Sequence, residues 1–150
     1  MVETLIYDTY LRMIKNSVGT KLFRNLYLEI NKERIDATRN GKFSCAYFVS
    51  AILLMSGLIK EMHATVDKTV KDMEKFGWKR RRIAKVKPGD IIAWERMMAE
   101  DKKLHSHIGF YIGNKKAISN SWQKRIPAVH SWNYNGKRKI IAIYHWPKFK

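Results

Sequence analysis

The chain is short of the residues that would mark several protein classes. A single cysteine, Cys45, excludes an intrachain disulfide and any cysteine-rich zinc module. Only thirteen acidic residues stand against thirty Lys and Arg, a formal net charge of +17 over 150 residues. No Pro, Gly or Ser tract forms a linker, and no period of 20 to 50 residues repeats, so the reading is one domain over 1–150 rather than an array. Its parts are an N-terminal helical segment (1–39), a central segment (40–121) and C-terminal strands (122–150). The longest apolar stretch, Phe43 to Ile59, is interrupted by Ser44, Ser50 and Ser56 and falls short of the ~20 residues that span a bilayer. Met1 to Lys15 contains Glu3 and Asp8 and lacks the basic start and unbroken apolar block of a signal peptide, so the default expectation is a cytoplasmic protein, with release by lysis or another export route left open.

What is present is an apolar fraction of 45%, ample for a core, and a charge that favours polyanionic partners: nucleic acid, anionic lipid or an anionic wall polymer. The first half reads as helical. Apolar residues recur at helical spacing from Thr4 to Lys15 and again from Val18 to Ile30, predicting two N-terminal helices, followed by a polar loop from Asn31 to Lys42. Ser44 to Ser56 predicts a buried central helix stopped by Gly57, and Thr65 opens a further helix that Gly77 ends. The pattern then changes to short β-branched and aromatic runs: Ile91–Trp94, His107–Ile112, Ala117–Ser121, Ile126–Trp132 and Lys139–Trp146. Helices followed by antiparallel strands make an α+β domain.

Cys45 opens the central helix, where the macrodipole and unpaired N–H groups favour thiolate and lower the thiol pKa; the competing reading is a small buried hydrophobe. A nucleophilic thiol needs an imidazole, and the imidazole needs a polar group to orient it. His107 stands at the start of a strand. With Asn114-Lys115 as a two-residue hairpin turn, Asn120 lies opposite Gly109 on the face of His107; a three-residue turn puts Ser119 there instead.

In order along the chain, Cys45-Ala46-Tyr47-Phe48-Val49-Ser50, Gly57, a helix opening at Thr65, Lys87-Pro88-Gly89-Asp90-Ile91-Ile92 and His107-Ile108-Gly109-Phe110-Tyr111-Ile112-Gly113 resemble the NlpC-type and CHAP-type cysteine peptidases and amidases of the papain-like superfamily. The resemblance implies a nucleophile at Cys45 at the N-terminus of the central helix, a general base at His107, and an orienter at Asn120 (as in CHAP-like members) or Ser119 (from an ungapped overlay on NlpC members). The substrate it implies is an amide bond, by default in peptidoglycan peptide stems, with no cofactor. Acyl transfer on the same scaffold, or a basic polyanion-binding module with an idle Cys45, are the other readings. The sequence departs from NlpC members in Ser44 before the cysteine and Ala46-Tyr47 after it, and lacks their Gly-Gly approach.

Lys79-Arg80-Arg81-Arg82 is a candidate polyanion site or a solvated turn. Trp78, Trp94, Trp122, Trp132 and Trp146 either stack on sugars or bases or fill the core. His63, His105, His130 and His145 have no metal-site spacing.

Overall fold

The computed structural model describes residues 1–149. Three helices pack on a mixed α+β scaffold: α1 (Ile6–Asn16), α2 (Cys45–Met55) and α3 (Val66–Phe76). The strands are β1 (Tyr27–Ile30), β2 (Glu33–Asp36), β3 (Lys79–Arg81), β4 (Ile91–Met98), β5 (Leu104–Gly113), β6 (Lys116–Ser121), β7 (Ile126–Ser131) and β8 (Ile140–His145). β3 to β8 form one antiparallel sheet in the order β3-β8-β4-β5-β6-β7, and β1 and β2 a separate hairpin. No helix among the described residues is long and apolar enough to cross a membrane.

α2 is the apolar centre. Phe48, Val49, Ile52 and Leu53 are buried, as a helix without a polar face requires. α3 has its Thr65 hydroxyl accepting from the Lys68 N–H and Gly77 at a φ of 128° just past its last turn, a backbone position that favours glycine. One face of the sheet, with Ile91, Ala93, Ile108, Phe110 and Ile118, packs on the helices; the other carries Ile92, Trp94, Tyr111 and Ala117 under the chain around Trp132 and Tyr134. The Lys87-Pro88-Gly89-Asp90 motif is a clamp between α1 and the sheet. Tyr10 and Tyr7 donate to the carbonyls of Gly89 and Pro88, each at 2.7 Å, and the Asp90 carboxylate accepts from the Lys87 N–H and pairs with Arg81.

Two expectations are corrected. Val18 to Ile30 is not a second helix: Gly19 at φ 81° ends the helical path, Val18 and Leu22 are exposed, and only Phe23 of that stripe enters the core. The last residues of the stripe form β1 instead. Asn31 to Lys42 is also more than a loop, because Asn31 and Lys32, both at positive φ, make the two-residue turn into β2. Helical spacing alone misread this segment, since its apolar residues face solvent rather than a common core.

Candidate active site

The approach to Cys45 is held from both sides. The Asp36 carboxylate accepts from the N–H groups of Leu26, Thr38 and Asn40, which ties β1 and β2 to the loop that follows. Partial burial works to raise its pKa, but the Asn40 N–H, the Asn25 amide and the hydroxyl and N–H of Thr38 outweigh it and hold the value at about 2. Ser44, buried, donates its hydroxyl to the Phe23 carbonyl and so does not cap α2. With no side-chain cap and no acid in the first turn, the N–H groups at the start of α2 are left for other acceptors. From the far side, the β4–β5 turn and the start of β5 grip the same loop: Phe43 stacks on His105 of β5 at 4.3 Å between ring centres, Asp101 of the turn pairs with both His105 and Arg39, and Lys42 pairs with Glu100.

Cys45 is the first residue of α2 and is partly exposed. Its Sγ rests against the β5 backbone, 3.9 Å from the Ser106 carbonyl and facing the Ile108 N–H, so it straddles the strand at His107. Burial pushes the thiol pKa above its ordinary value. The N–H groups of Ile108, Ala46 and Cys45 and the charge of Arg138 oppose that push without cancelling it. The expected lowering by the helix start is therefore overturned: desolvation outweighs the dipole here.

His107 projects onto the sheet face opposite α2. Its Nε2 lies 2.9 Å from Ser119 Oγ and 2.7 Å from Tyr134 Oη, while the Trp94 indole lies 5.0 Å from the ring centre. Burial, then the positive charges of Arg138 and His130, hold its pKa well below the ordinary histidine value, so the ring is neutral at neutral pH. With the Cys45 pKa raised as well, burial favours the neutral form of both side chains.

The orienting position is decided by one residue of backbone. The Asn114-Lys115 turn forms as expected, with both residues at positive φ and Gly113 opposite Lys116. Ile112 is then an extra residue in β5, so Tyr111 pairs with Ala117 and Phe110 with Ile118. Beyond this bulge the register has slipped by one, and a slip of one moves every side chain to the other face. Ser119 faces His107. Asn120, expected there, points the other way, is buried, and donates to the Gly41 carbonyl at 2.8 Å. It tethers the loop leading to Cys45 rather than touching the imidazole.

Three neighbours of the pair were not picked out from sequence. Tyr134, in a 3-10 turn at φ 55°, bonds His107, and burial pushes its pKa up to about 12. His130, on β7 diagonal to Ser119, places Nε2 2.6 Å from Ser119 Oγ and stacks on Tyr134 at 4.1 Å. Arg138 donates to the carbonyls of Glu95 and His105, and its charge reaches both Cys45 and His107. Only the diagonal spacing of β6 and β7 could have hinted at His130; nothing in the order Trp132-Asn133-Tyr134-Asn135-Gly136 says that the tyrosine turns inward.

The basic run lies elsewhere. Lys79, Arg80 and Arg81 form edge strand β3, and Lys79, Arg80 and Arg82 are exposed, whereas Arg81 pairs with Asp90 and bonds His145 Nδ1. β3 is three strands from β5, roughly 14 Å across the sheet, so the run does not converge with Cys45. Among the described residues no three His, Cys, Asp or Glu side chains come together as a metal site would require.

No protein-family model matches the chain, and no curated protein matches it. Among solved structures it is similar to NlpC2 from Trichomonas vaginalis, with a TM-score of 0.59 and 17% identity over 97% of this chain. The chain spans 49% of that structure's chain, about half its length. At this identity the likeness is one of architecture, and by it the mixed α+β fold described above is NlpC-like.

Proposed function

We propose that the protein is a cysteine-dependent amide hydrolase, an endopeptidase or amidase acting on peptidoglycan peptide stems. The observation that carries the reading is the seating of the Cys45 thiol against β5 at His107, whose Nε2 is anchored by Ser119 and Tyr134. His107 takes the Cys45 proton as sulfur bonds to the amide carbon. The resulting oxyanion is held by the Cys45 N–H at the uncapped start of α2. Collapse of this intermediate breaks the C–N bond, and His107 returns its proton to the departing amine. Water, deprotonated by His107, then attacks the thioester, releasing the acid and restoring the thiol. The NlpC-like fold supports the substrate class, and the exposed cations Lys79, Arg80 and Arg82 suit an anionic wall lattice.

The test incubates wild type and Cys45→Ala with soluble muropeptides and with intact wall, reading products by mass spectrometry. Wild type should release a free amine and a free carboxylate at one bond, Cys45→Ala should release none, and added salt should slow only the reaction on intact wall. Turnover by Cys45→Ala refutes the mechanism. Acyl–amine products in place of free acid would make the enzyme a transferase. No cleavage, together with nucleic-acid binding that ignores Cys45, would leave a polyanion-binding module.

A further inference from the structure

The hydrogen bonds around Ser119 have one consistent arrangement of protons. His130 Nδ1 lies 2.7 Å from the Ser131 carbonyl, which can only accept, so Nδ1 carries the hydrogen. Burial keeps His130 neutral, so its Nε2 is bare and must accept. The group at 2.6 Å from that nitrogen is Ser119 Oγ, whose single hydrogen is thereby committed to His130. Toward His107, 2.9 Å away, Ser119 then offers only lone pairs. A bare His107 Nε2 would set lone pair against lone pair at that distance, whereas a protonated one donates. The Tyr134 hydroxyl fits either way and closes the set by donating to Ser119 at 3.0 Å.

We propose that His130 is a positioning residue that fixes the tautomer of His107 through Ser119, holding the proton on Nε2 and leaving Nδ1 bare to accept the proton of Cys45. The fixed end is a backbone carbonyl, which cannot reverse its role, so the order runs from Ser131 through His130 and Ser119 to His107. Without an acceptor at position 130 the Ser119 hydroxyl is free to turn and donate to His107 Nε2, which drives the His107 proton to Nδ1 and removes the base. The catalytic consequence rests on the hydrolase reading above; the proton order does not.

The test is a long-range proton–nitrogen NMR spectrum of the full chain labelled with ¹⁵N-histidine, at pH 7.5. In wild type, His107 should show a protonated Nε2 and a bare Nδ1, and His130 the reverse. In His130→Phe, whose ring keeps the stack on Tyr134 but accepts nothing, the major His107 form should carry its proton on Nδ1, and kcat should fall by at least about tenfold with KM little changed. In His130→Gln, whose amide oxygen can accept from Ser119, the wild-type tautomer and most of kcat should return. The opposite tautomer in wild type overturns the proposal whether or not the variants fold, as does a wild-type His107 pattern in His130→Phe. The expected tautomers without any hydrolysis would sink the hydrolase reading alone, and hydrolysis with the wrong tautomer would sink only the role of His130.

Discussion

Gly109 is where the sheet, the bulge and the candidate site meet, and adding one methyl there tests all three. A Cβ at this position would lie 2.7 Å from Ser119 Cβ, 2.9 Å from the Ile118 carbonyl oxygen and 3.0 Å from Cζ3 of Trp94. Non-bonded carbons prefer about 3.5–4.0 Å, so roughly 1 Å must be found. None of the three neighbours is the loose end of a flexible chain. Two belong to paired strand β6, and the indole is pinned by its N–H to the Trp132 carbonyl at 2.7 Å. Overpacking of this kind costs about 1–3 kcal/mol, partly offset by the ~0.4–1 kcal/mol that Gly→Ala gains from a less flexible unfolded chain. Gly109→Ala should therefore lose about 1–2 kcal/mol in urea denaturation, and its melting temperature should fall by roughly 2–8 °C for a domain of this size. Ser119, pushed from its place, should lose the 2.9 Å contact with His107, so kcat should fall as well. Adding Ser119→Gly removes the opposing Cβ, and the double variant should be more stable than the sum of the single effects allows. Stability of Gly109→Ala within about 0.5 kcal/mol of wild type, or strict additivity in the double variant, would refute the register on which the site is built.

Burial of Asp90 raises its pKa from 3.8 to about 6 despite Arg81, Lys87 and the Lys87 N–H. Its neutral form is thus favoured on folding, a contribution complete below about pH 4 and lost as pH rises through 6; it amounts to about 3 kcal/mol, and Asp90→Asn should flatten the urea-denaturation profile across that window. Asp36, Asp72 and Asp101, whose pKa values are lowered, act with the opposite sign, losing their stabilisation as pH falls below the usual carboxylate range, so the two sets separate by pH. Asn120→Ala, which orphans the Gly41 carbonyl, should cost about 1–2 kcal/mol of stability, while Ser119→Ala should cost more in kcat; the reverse order would restore Asn120 as the orienter. Because the Cys45 thiol pKa is raised, iodoacetamide alkylation of the free protein should be slow at pH 6–7 and climb about tenfold per pH unit past pH 8; a plateau below pH 7 would show a standing thiolate–imidazolium pair.

The elements that were legible in the sequence are those whose side chains meet a core. α2 was readable because a run from Ala46 to Leu53 with no polar face can only be a buried helix, and α3 because Thr65 and Gly77 bracket it with a working cap and stop. Most of the β-rich second half was readable for the same reason, since β4, β5, β6 and β8 carry branched or aromatic residues into the two sheet faces, whereas β3, a Lys-Arg-Arg edge strand with nothing to bury, was not. Val18 to Ile30 failed because its apolar residues are mostly exposed, so spacing carried no information about packing; the tolerance of Gly19 and Asn31 for positive φ set the path instead, and Lys32 follows Asn31 through the turn.

The candidate site divides along a similar line. Cys45 and His107 announce themselves by chemistry and by position within their elements, but the choice between Ser119 and Asn120 turns on whether Ile112 is accommodated inside the β5–β6 ladder or outside it. The turn residues settle only the pairing next to the turn. Two residues further on, the pairing answers to the sheet faces: Tyr111 and Ala117 belong with Ile92 and Trp94 in the outer layer, and Phe110 and Ile118 with the helices. Carrying the turn's register onward would pair Tyr111 with Ile118 and Phe110 with Ser119. That would send the large apolar Ile118 to the outer layer and the Ser119 hydroxyl into the helical core. The bulge avoids that burial of an unmatched polar group. It leaves Ser119 where His107, His130 and Tyr134 can each use its oxygen. Asn120 then lies against the loop before Cys45, where the Gly41 carbonyl accepts from its amide.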